Sequence, residues 1–461
     1  MNKQLSRRDF LKLAGGAVVT VAGAGLMPQF LRKVLHADEV VTAASDYDLF
    51  FAGTDGWGWF PPTPAIPPYH PDTYAPEYFS GHPLTTYIFG FRNVTGLTDT
   101  QRQNQRNKAQ HNSPFFWVDQ ETELRVQLTN LGLALRPDLT DAHTIHWHGF
   151  RNVIPFFDGE PTGSISVPVG QLFTYVFRPH DPGTYMYHCH VEDVEHVTMG
   201  MTSLVFVRPV QNGSSYEYPL GSGKYYTKFA YNDDDGSTGY DREHALFLSE
   251  IWAEGHWNDA HIQESDWSLF HADFSLLNGR VYPDTLLPNS PINLGASTHA
   301  LTIQTDGNGD LMVNPGLEHL QYNPHSSLIT CNAGERVLLR FANLGFREAA
   351  MTLAGIKMTV VGRDATIMRG RDGTNTSYDT ETLLFGAGES FDAIFTAPAF
   401  SGGSGNSGQG YDTYVLYNRR YTQDSNLSPG GAGGQRTEVR VYPGTLPAQK
   451  YLNQHPDDVV S

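Results

Sequence analysis

The stretch from residue 143 to residue 201 constrains this chain more than any other: it opens with HTIHWHGF and closes with GTYMYHCHVEDVEHVTMGM. Successive side chains of a β-strand point to opposite faces, so residues two apart share one. His146 and His148 therefore share a face, as do His188 and His190, while Cys189 between the latter pair points the other way. Two such strands laid side by side present four imidazoles on one side and a thiolate on the other. Imidazole together with thiolate is a ligand set that suits copper.

The thiolate side can be completed from the same stretch. A blue-copper site takes two histidines, one cysteine and a weak axial methionine. His143 lies three residues before His146, and His196 and Met201 follow Cys189 in a C-x6-H-x4-M pattern. The expected set is His143, Cys189, His196 and Met201, with Met199 as the competing axial ligand on the opposite alternation. The chain has only 19 histidines in 461 residues, which makes chance clustering a poor alternative.

The region from about Val118 to Val207 resembles a copper-binding cupredoxin domain of the multicopper oxidases. HTIHWHG is similar to their H-x-x-H-x-H-G motif, and GTYMYHCH followed by His196 and Met201 is similar to their HCH-x-H-x-M motif. Asp158–Gly159 matches a recurrent Asp-Gly of that family, which marks Asp158 as a candidate catalytic residue. One departure is visible: the family usually has four residues between the cysteine and the next ligand histidine, and this chain has six. The resemblance implies an all-β fold of tandem cupredoxin-like Greek-key sandwiches with copper ions as cofactor. It assigns His143, Cys189, His196 and Met201 to a type 1 copper, and His146, His148, His188 and His190 to type 2 or type 3 copper.

The rest of the chain divides around this region. Its length allows two ordinary domains, and 46 glycines, 28 prolines and 12% aromatic residues suit strands and turns rather than helices. The expected organisation is a copper domain over residues 45–207, a linker over 208–243, a second cupredoxin-like domain over 244–443 and a tail over 444–461. Within the first, residues 45–115 read as an irregular Pro-rich and aromatic insertion with Trp57, Trp59, Phe60 and His70, either a lid or interface element or a surface loop. ETELRVQLTNLG alternates like a half-buried strand. In the second domain ALFLSEIW, LNGRVYPDTL, ERVLLRFANLG, IKMTVVGRDA, ESFDAIFTAP and YDTYVLYNRR read as strands. Their order resembles the non-copper middle domain of three-domain multicopper oxidases, and AAMTLAGIK and YVLYNRR stand where a copper domain would carry histidines. Cys331 reads as a buried small residue rather than a disulfide partner of Cys189.

The N-terminus reads as a targeting segment over residues 1–44. Ser6-Arg7-Arg8-Asp9-Phe10-Leu11-Lys12 resembles the twin-arginine export motif, and the apolar run LAGGAVVTVAGAGLM after it is short for a membrane span. The expected location is periplasmic or secreted, reached in the folded state. A net charge of −18 with no basic run beyond the N-terminus argues against nucleic acid as a partner.

Function hinges on a count. The resemblance implies that oxygen reduction needs a trinuclear cluster held by four His-x-His pairs, and this chain supplies two, with none after His190. His70 and His82 are candidates to add ligands, and a homotrimer sharing histidines between copies, as in two-domain relatives, is the assembly to consider. The leading expectation is an exported oxidoreductase that oxidises a phenol, a metal ion or a protein donor and reduces oxygen. The alternative is a single-copper electron carrier, or a nitrite-reductase-like enzyme acting on a small oxyanion.

Overall fold

The computed structural model describes residues 47–63, 66, 68–403 and 410–461; the twin-arginine segment lies outside them. Alternation builds the first sheet. In β4 (Leu124–Asn130) the sequence LRVQLTN buries every second residue, the mark of a strand with one face on a core. β1 (Leu49–Phe60) runs parallel to β4, and β2 (Leu84–Asn93) and β6 (Leu172–Phe177) flank them in the order β2-β1-β4-β6. Facing it is a sheet of β3 (Phe116–Asp119), β5 (His146–His148), β7 (Gly183–His188) and β8 (Thr202–Arg208), in the order β3-β8-β7-β5. Phe51, Phe91, Phe116, Trp147 and Tyr187 fill the space between the two sheets.

After the small ribbon of β9 (Tyr216–Glu217) and β10 (Tyr225–Tyr226) comes a second sandwich. One sheet holds β11 (Arg242–Ile251), β12 (Phe274–Leu277), β14 (Arg336–Asn343), β16 (Met358–Arg363), β17 (Thr366–Ile367), β18 (Tyr378–Thr380) and β20 (Glu389–Thr396). Its order is β12-β11-β14-β20-β16-β17, with β18 beside β16. The other holds β13 (Ile329–Asn332), β15 (Ala349–Leu353), β19 (Thr382–Phe385), β21 (Asp412–Asn418) and β22 (Arg436–Tyr442), in the order β13-β22-β21-β15-β19. The molecule is all-β, as expected.

Four segments differ from the sequence reading. Residues 49–60 and 84–93 are not an irregular insertion but the two long paired strands β1 and β2, and the described residues between them, 61–63, 66 and 68–83, belong to no strand. Gly53, Gly56 and Gly58 hide the strand, and packing explains two of them: a Cβ on Gly56 would stand 2.8 Å from the Ala109 nitrogen, and one on Gly53 2.6 Å from the His143 ring. Residues 68–83 pack against the helix Ala253–Ala260 and the residue after it, with Tyr69 stacked on Trp257 and Tyr74 on His261. LNGRVYPDTL is a turn, closed by a bridge between Leu277 and Arg280 and followed by the 3-10 turn Asp284–Leu286. Residues 208–243 and 444–461 are packed rather than loose: Phe229, Tyr231 and Tyr240 are buried in the former, Leu452, Asn453 and His455 in the latter.

The sheet β3-β8-β7-β5 is covered on both faces. Its inner face meets the first core, while Trp117, Met186, Leu204 and Phe206 on its outer face pack with Ala245 and Phe247 of β11. A buried ionic network pins this contact. Thr184 of β7 donates its hydroxyl to Asp392 of β20 at 2.5 Å, and Tyr231 donates to the same carboxylate at 2.6 Å. Fully buried Arg340 of β14 reaches Asp392 at 3.3 Å and Glu243 at 3.2 Å.

Candidate metal centre

β5 and β7 pair so that His146 faces His188, Trp147 faces Tyr187 and His148 faces Met186. Because Trp147 and Tyr187 belong to the inner core and Met186 to the contact with β11, the histidines project from the outer face, toward the second sandwich. The His146 and His188 rings have centroids 5.2 Å apart, and His188 Nε2 lies 3.4 Å from His148 Nδ1. One nitrogen from each of His146, His148 and His188 falls within a 4.8 Å group. His190, two residues on, brings its ring centroid to 4.8 Å from that of His146. Gly388 of the second sandwich closes over the group: a Cβ there would stand 3.3 Å from His148 Nε2.

Asp158 holds His146 through its backbone carbonyl, which accepts a hydrogen bond from Nδ1 at 2.8 Å, while its carboxylate oxygen lies 3.6 Å from the same nitrogen. This is a positioning contact, as a metal-binding imidazole needs on its second nitrogen. Gly159 beside it has φ of +76°, and a Cβ would stand 2.2 Å from the Ile145 carbonyl oxygen, so glycine is required for this approach. Burial lowers the pKa of His146, His148 and His188, the last to about 3. These rings are neutral near pH 7, with lone pairs free for a metal.

On the inner face, Cys189 Sγ lies 3.2 Å from His196 Nδ1, and donors of His143, Cys189 and His196 fall within a 4.8 Å group. The Thr144 backbone N–H points at the sulfur from 3.5 Å, and the Thr144 hydroxyl accepts the His190 N–H at 2.8 Å. The six residues between Cys189 and His196 run into the short helix Asp193–Met199, which carries His196 and ends at Gly200. Bonds from Met201 N–H to the His196 carbonyl (2.8 Å) and from Cys189 N–H to the Met201 carbonyl (3.0 Å) close the loop. A Cβ on Gly53 would touch both the His143 ring at 2.6 Å and the Met201 methyl at 3.4 Å, so these side chains converge on the bare patch of β1.

The inner group fits a metal on its own terms. His143 and His196 are 1% and 0% exposed, yet both ring nitrogens of His143 and Nε2 of His196 have no hydrogen-bond partner. Buried polar atoms left this way cost about 1–3 kcal/mol each unless something else binds them. Burial opposes ionisation of Cys189, but the His196 and His143 imidazoles outweigh it and hold the thiol well below its usual range. Burial likewise opposes charge on His196, and Cys189 and Asp141 outweigh it and push its pKa up to about 10. Two imidazoles, a thiolate and a nearby thioether form the donor set that suits copper.

The eight candidate ligands lie in two groups on opposite sides of one sheet; alternation bears on His146, His148, His188, His190 and Cys189, while His143, His196 and Met201 come from segments outside the strands. His70 and His82 go elsewhere: His70 Nδ1 meets the Thr85 hydroxyl at 3.5 Å, and His82 meets Asp284 and His319. Cys331 is buried in β13 as a free thiol, pushed up to about 12 by burial. Sequence reasoning missed Gly53 and Thr144, whose roles depend on contacts from strands far apart in the chain. It also missed a cleft of about 500 Å³ beside His196, lined by Arg136, Leu139, Glu195, Asp259, Glu264 and Trp267 among others.

Known proteins bear on this arrangement. Two multicopper oxidase family models match the chain, one over residues 96–212 and one over residues 288–404, together just over half of it. Laccase-25 of Oryza sativa subsp. japonica is 23% identical over 322 residues, 67% of this chain and 44% of that protein. Laccase-12 of Arabidopsis thaliana is 24% identical over 261 residues, 55% of this chain and 34% of that protein. The chain therefore spans less than half the length of these curated relatives. The fold is shared with the blue copper oxidase from Nitrosomonas europaea, at 19% identity and a TM-score of 0.53 over 88% of this chain and 91% of that one. The chain belongs to the multicopper oxidase family, an oxidoreductase family whose members bind copper ions.

Proposed function

We propose that the protein is an exported copper-dependent oxidoreductase that oxidises a phenol, a metal ion or a protein donor and reduces oxygen. The observation that carries this reading is the division of ligands across one sheet. His143, Cys189, His196 and Met201 on the inner face would hold a type 1 copper, and His146, His148, His188 and His190 on the outer face would hold copper of type 2 or type 3. Copper bound in these two places supplies one-electron exchange with donor and acceptor.

The residues of the chain set up that exchange. Cys189 is joined by peptide bonds to His188 and His190, so the two groups are connected through a few covalent bonds. Asp158 orients His146. The cleft at Glu195, next to His196, is a suitable place for the donor, and Glu264 on its wall would favour a cationic or hydroxyl-bearing molecule, Asp259 there being paired with Arg136 at 2.8 Å. Export by the twin-arginine route would deliver the protein folded, with its metal, to the periplasm or beyond.

The alternative reading is a carrier or nitrite-reductase-like enzyme with one type 1 copper and at most one histidine-bound copper. It is favoured by the outer group: among the described residues no other histidine of this chain joins the four present. A homotrimer in which another copy supplies donors would restore the first reading. Copper content per chain, with optical and spin-resonance spectra on one copper-loaded sample, separates the two. Three or four coppers with both blue and type 2 signals support the oxidase; a single blue copper without oxygen consumption overturns it.

A further inference from the structure

We infer that the chain carries a third metal site, outside the copper motifs, in which His82, Asp284 and His319 hold a divalent transition-metal ion. Two observations carry it independently. The first is spacing. His82 Nε2 lies 3.1 Å and His319 Nε2 3.4 Å from the same oxygen of Asp284, and donors of all three fall within 4.8 Å of one another. Zinc bonds to imidazole and carboxylate are about 2.0–2.2 Å. Two ligands of one tetrahedral ion are therefore about 3.3–3.6 Å apart, a spacing that the His319 distance meets and that the His82 distance, here a hydrogen bond, falls just short of. The second is an orphan: His319 is 8% exposed, and its Nε2 has no hydrogen-bond partner although it faces the carboxylate.

The surroundings agree. The His82 and His319 rings are stacked with centroids 3.6 Å apart, so their edges open on one side, toward Asp284. Among the described residues the Asp284 carboxylate has no ion-pair partner except these two imidazoles. Burial works against its ionisation, yet the two imidazoles outweigh that and hold it well below its usual range. Arg280 is committed to backbone carbonyls of Asn323, Asp284, Leu287 and Pro288.

Three protein donors with partial exposure at His82 leave a fourth position for water, and two imidazoles with one carboxylate suit zinc or a neighbouring first-row ion. The donors come from distant places: the residue pair before β2, the turn Asp284–Leu286, and the turn Glu318–Leu320. An ion here ties the segment just before β2 in the first sandwich to two loops of the second half, with no role for the copper ligands.

The test is zinc content of the metal-free full chain after saturation with zinc(II) and gel filtration, for wild type, His82→Gln and His319→Gln. Zinc that settles on the copper ligands is common to all three and cancels. Each variant is expected to hold one zinc fewer than wild type, with the affinity of that equivalent falling about 10–100-fold or more. His82→Gln, at the more exposed position, guards against misfolding, and far-UV circular dichroism checks both variants. Equal zinc content and affinity in wild type and His82→Gln would overturn the site.

Discussion

The two sandwiches share one wiring plan and differ in what stands at one matched position. In the first, β1 runs parallel to β4 and β3 parallel to β8; in the second, β11 runs parallel to β14 and β13 parallel to β22. The antiparallel pair β5–β7 corresponds to β15–β21. Matched by pairing and facing, Thr352 and Tyr417 stand in the place of His146 and His188, and buried Asn418 stands near that of Cys189. Asn418 has its needs met by protein: Oδ1 accepts N–H groups of Ala350 and Arg420, both at 3.1 Å, and Nδ2 donates to Gln435 at 2.8 Å. His143 and His196 beside Cys189 do not. The contrast separates two uses of one scaffold at a matched position: bare ring nitrogens also occur at His244 and His325, but those of His143 and His196 converge on a thiolate, whereas Asn418 is satisfied by protein.

The sharpest way to break the comparison is Cys189→Ser. Intense blue absorption of the copper-loaded protein is expected to vanish while the fold, followed by circular dichroism, persists; an unchanged thiolate absorption band would refute the inner-face assignment. Next is His146→Ala, which should abolish oxygen consumption and remove the histidine-bound copper signal but keep the blue centre, with Thr352→Ala in the second sandwich altering neither. Asp392→Ala strips one of the two buried carboxylates from Arg340 and the shared acceptor from Thr184 and Tyr231, and should destabilise the chain by about 3 kcal/mol in thermal unfolding.

Smaller effects sharpen the same picture. Burial opposes ionisation of Glu243, but Arg208 and Arg340 outweigh it and hold its carboxyl at about 2, below its ordinary value of 4.5. A depressed carboxyl stabilises fully above the ordinary value, and that stability is lost as pH falls toward the folded one. Melting temperatures should therefore drop between pH 4.5 and pH 2, and Glu243→Gln should flatten that drop while lowering stability at neutral pH. Gly53→Ala is the mildest: its methyl would crowd His143 and Met201, shifting the blue band at a cost of about 1–3 kcal/mol without loss of copper.

Much of this was legible in the chain because strand alternation is a local rule. His146, His148, His188 and His190 could be placed on one face and Cys189 on the other without knowing what lay beside them. The alternation of LRVQLTN likewise gave β4. What resisted reading depends on distant partners. DGWGWF looked like loop because its glycines, Gly56 and Gly58, make room for residues about 50 and 30 positions away in sequence, Ala109 and Thr86. LNGRVYPDTL carried strand-forming residues, but Asn278 at φ of +52° and Gly279 at +77° turn the backbone. His319 looked solitary since its companions lie in segments far removed along the chain.

The chemistry of β7 has a reading frame. Residues 183–190 alternate between two compartments that share a single sheet as their wall, so inserting or deleting one residue there would transpose the contents of both at once. The anchoring of Thr184 to Asp392 fixes that frame from one end. The helix-bearing loop after His190 lies downstream of it, which is why two extra residues relative to the usual pattern leave His196 and Met201 within reach. Length variation in such a chain is therefore tolerable on one side of Cys189 and ruinous on the other.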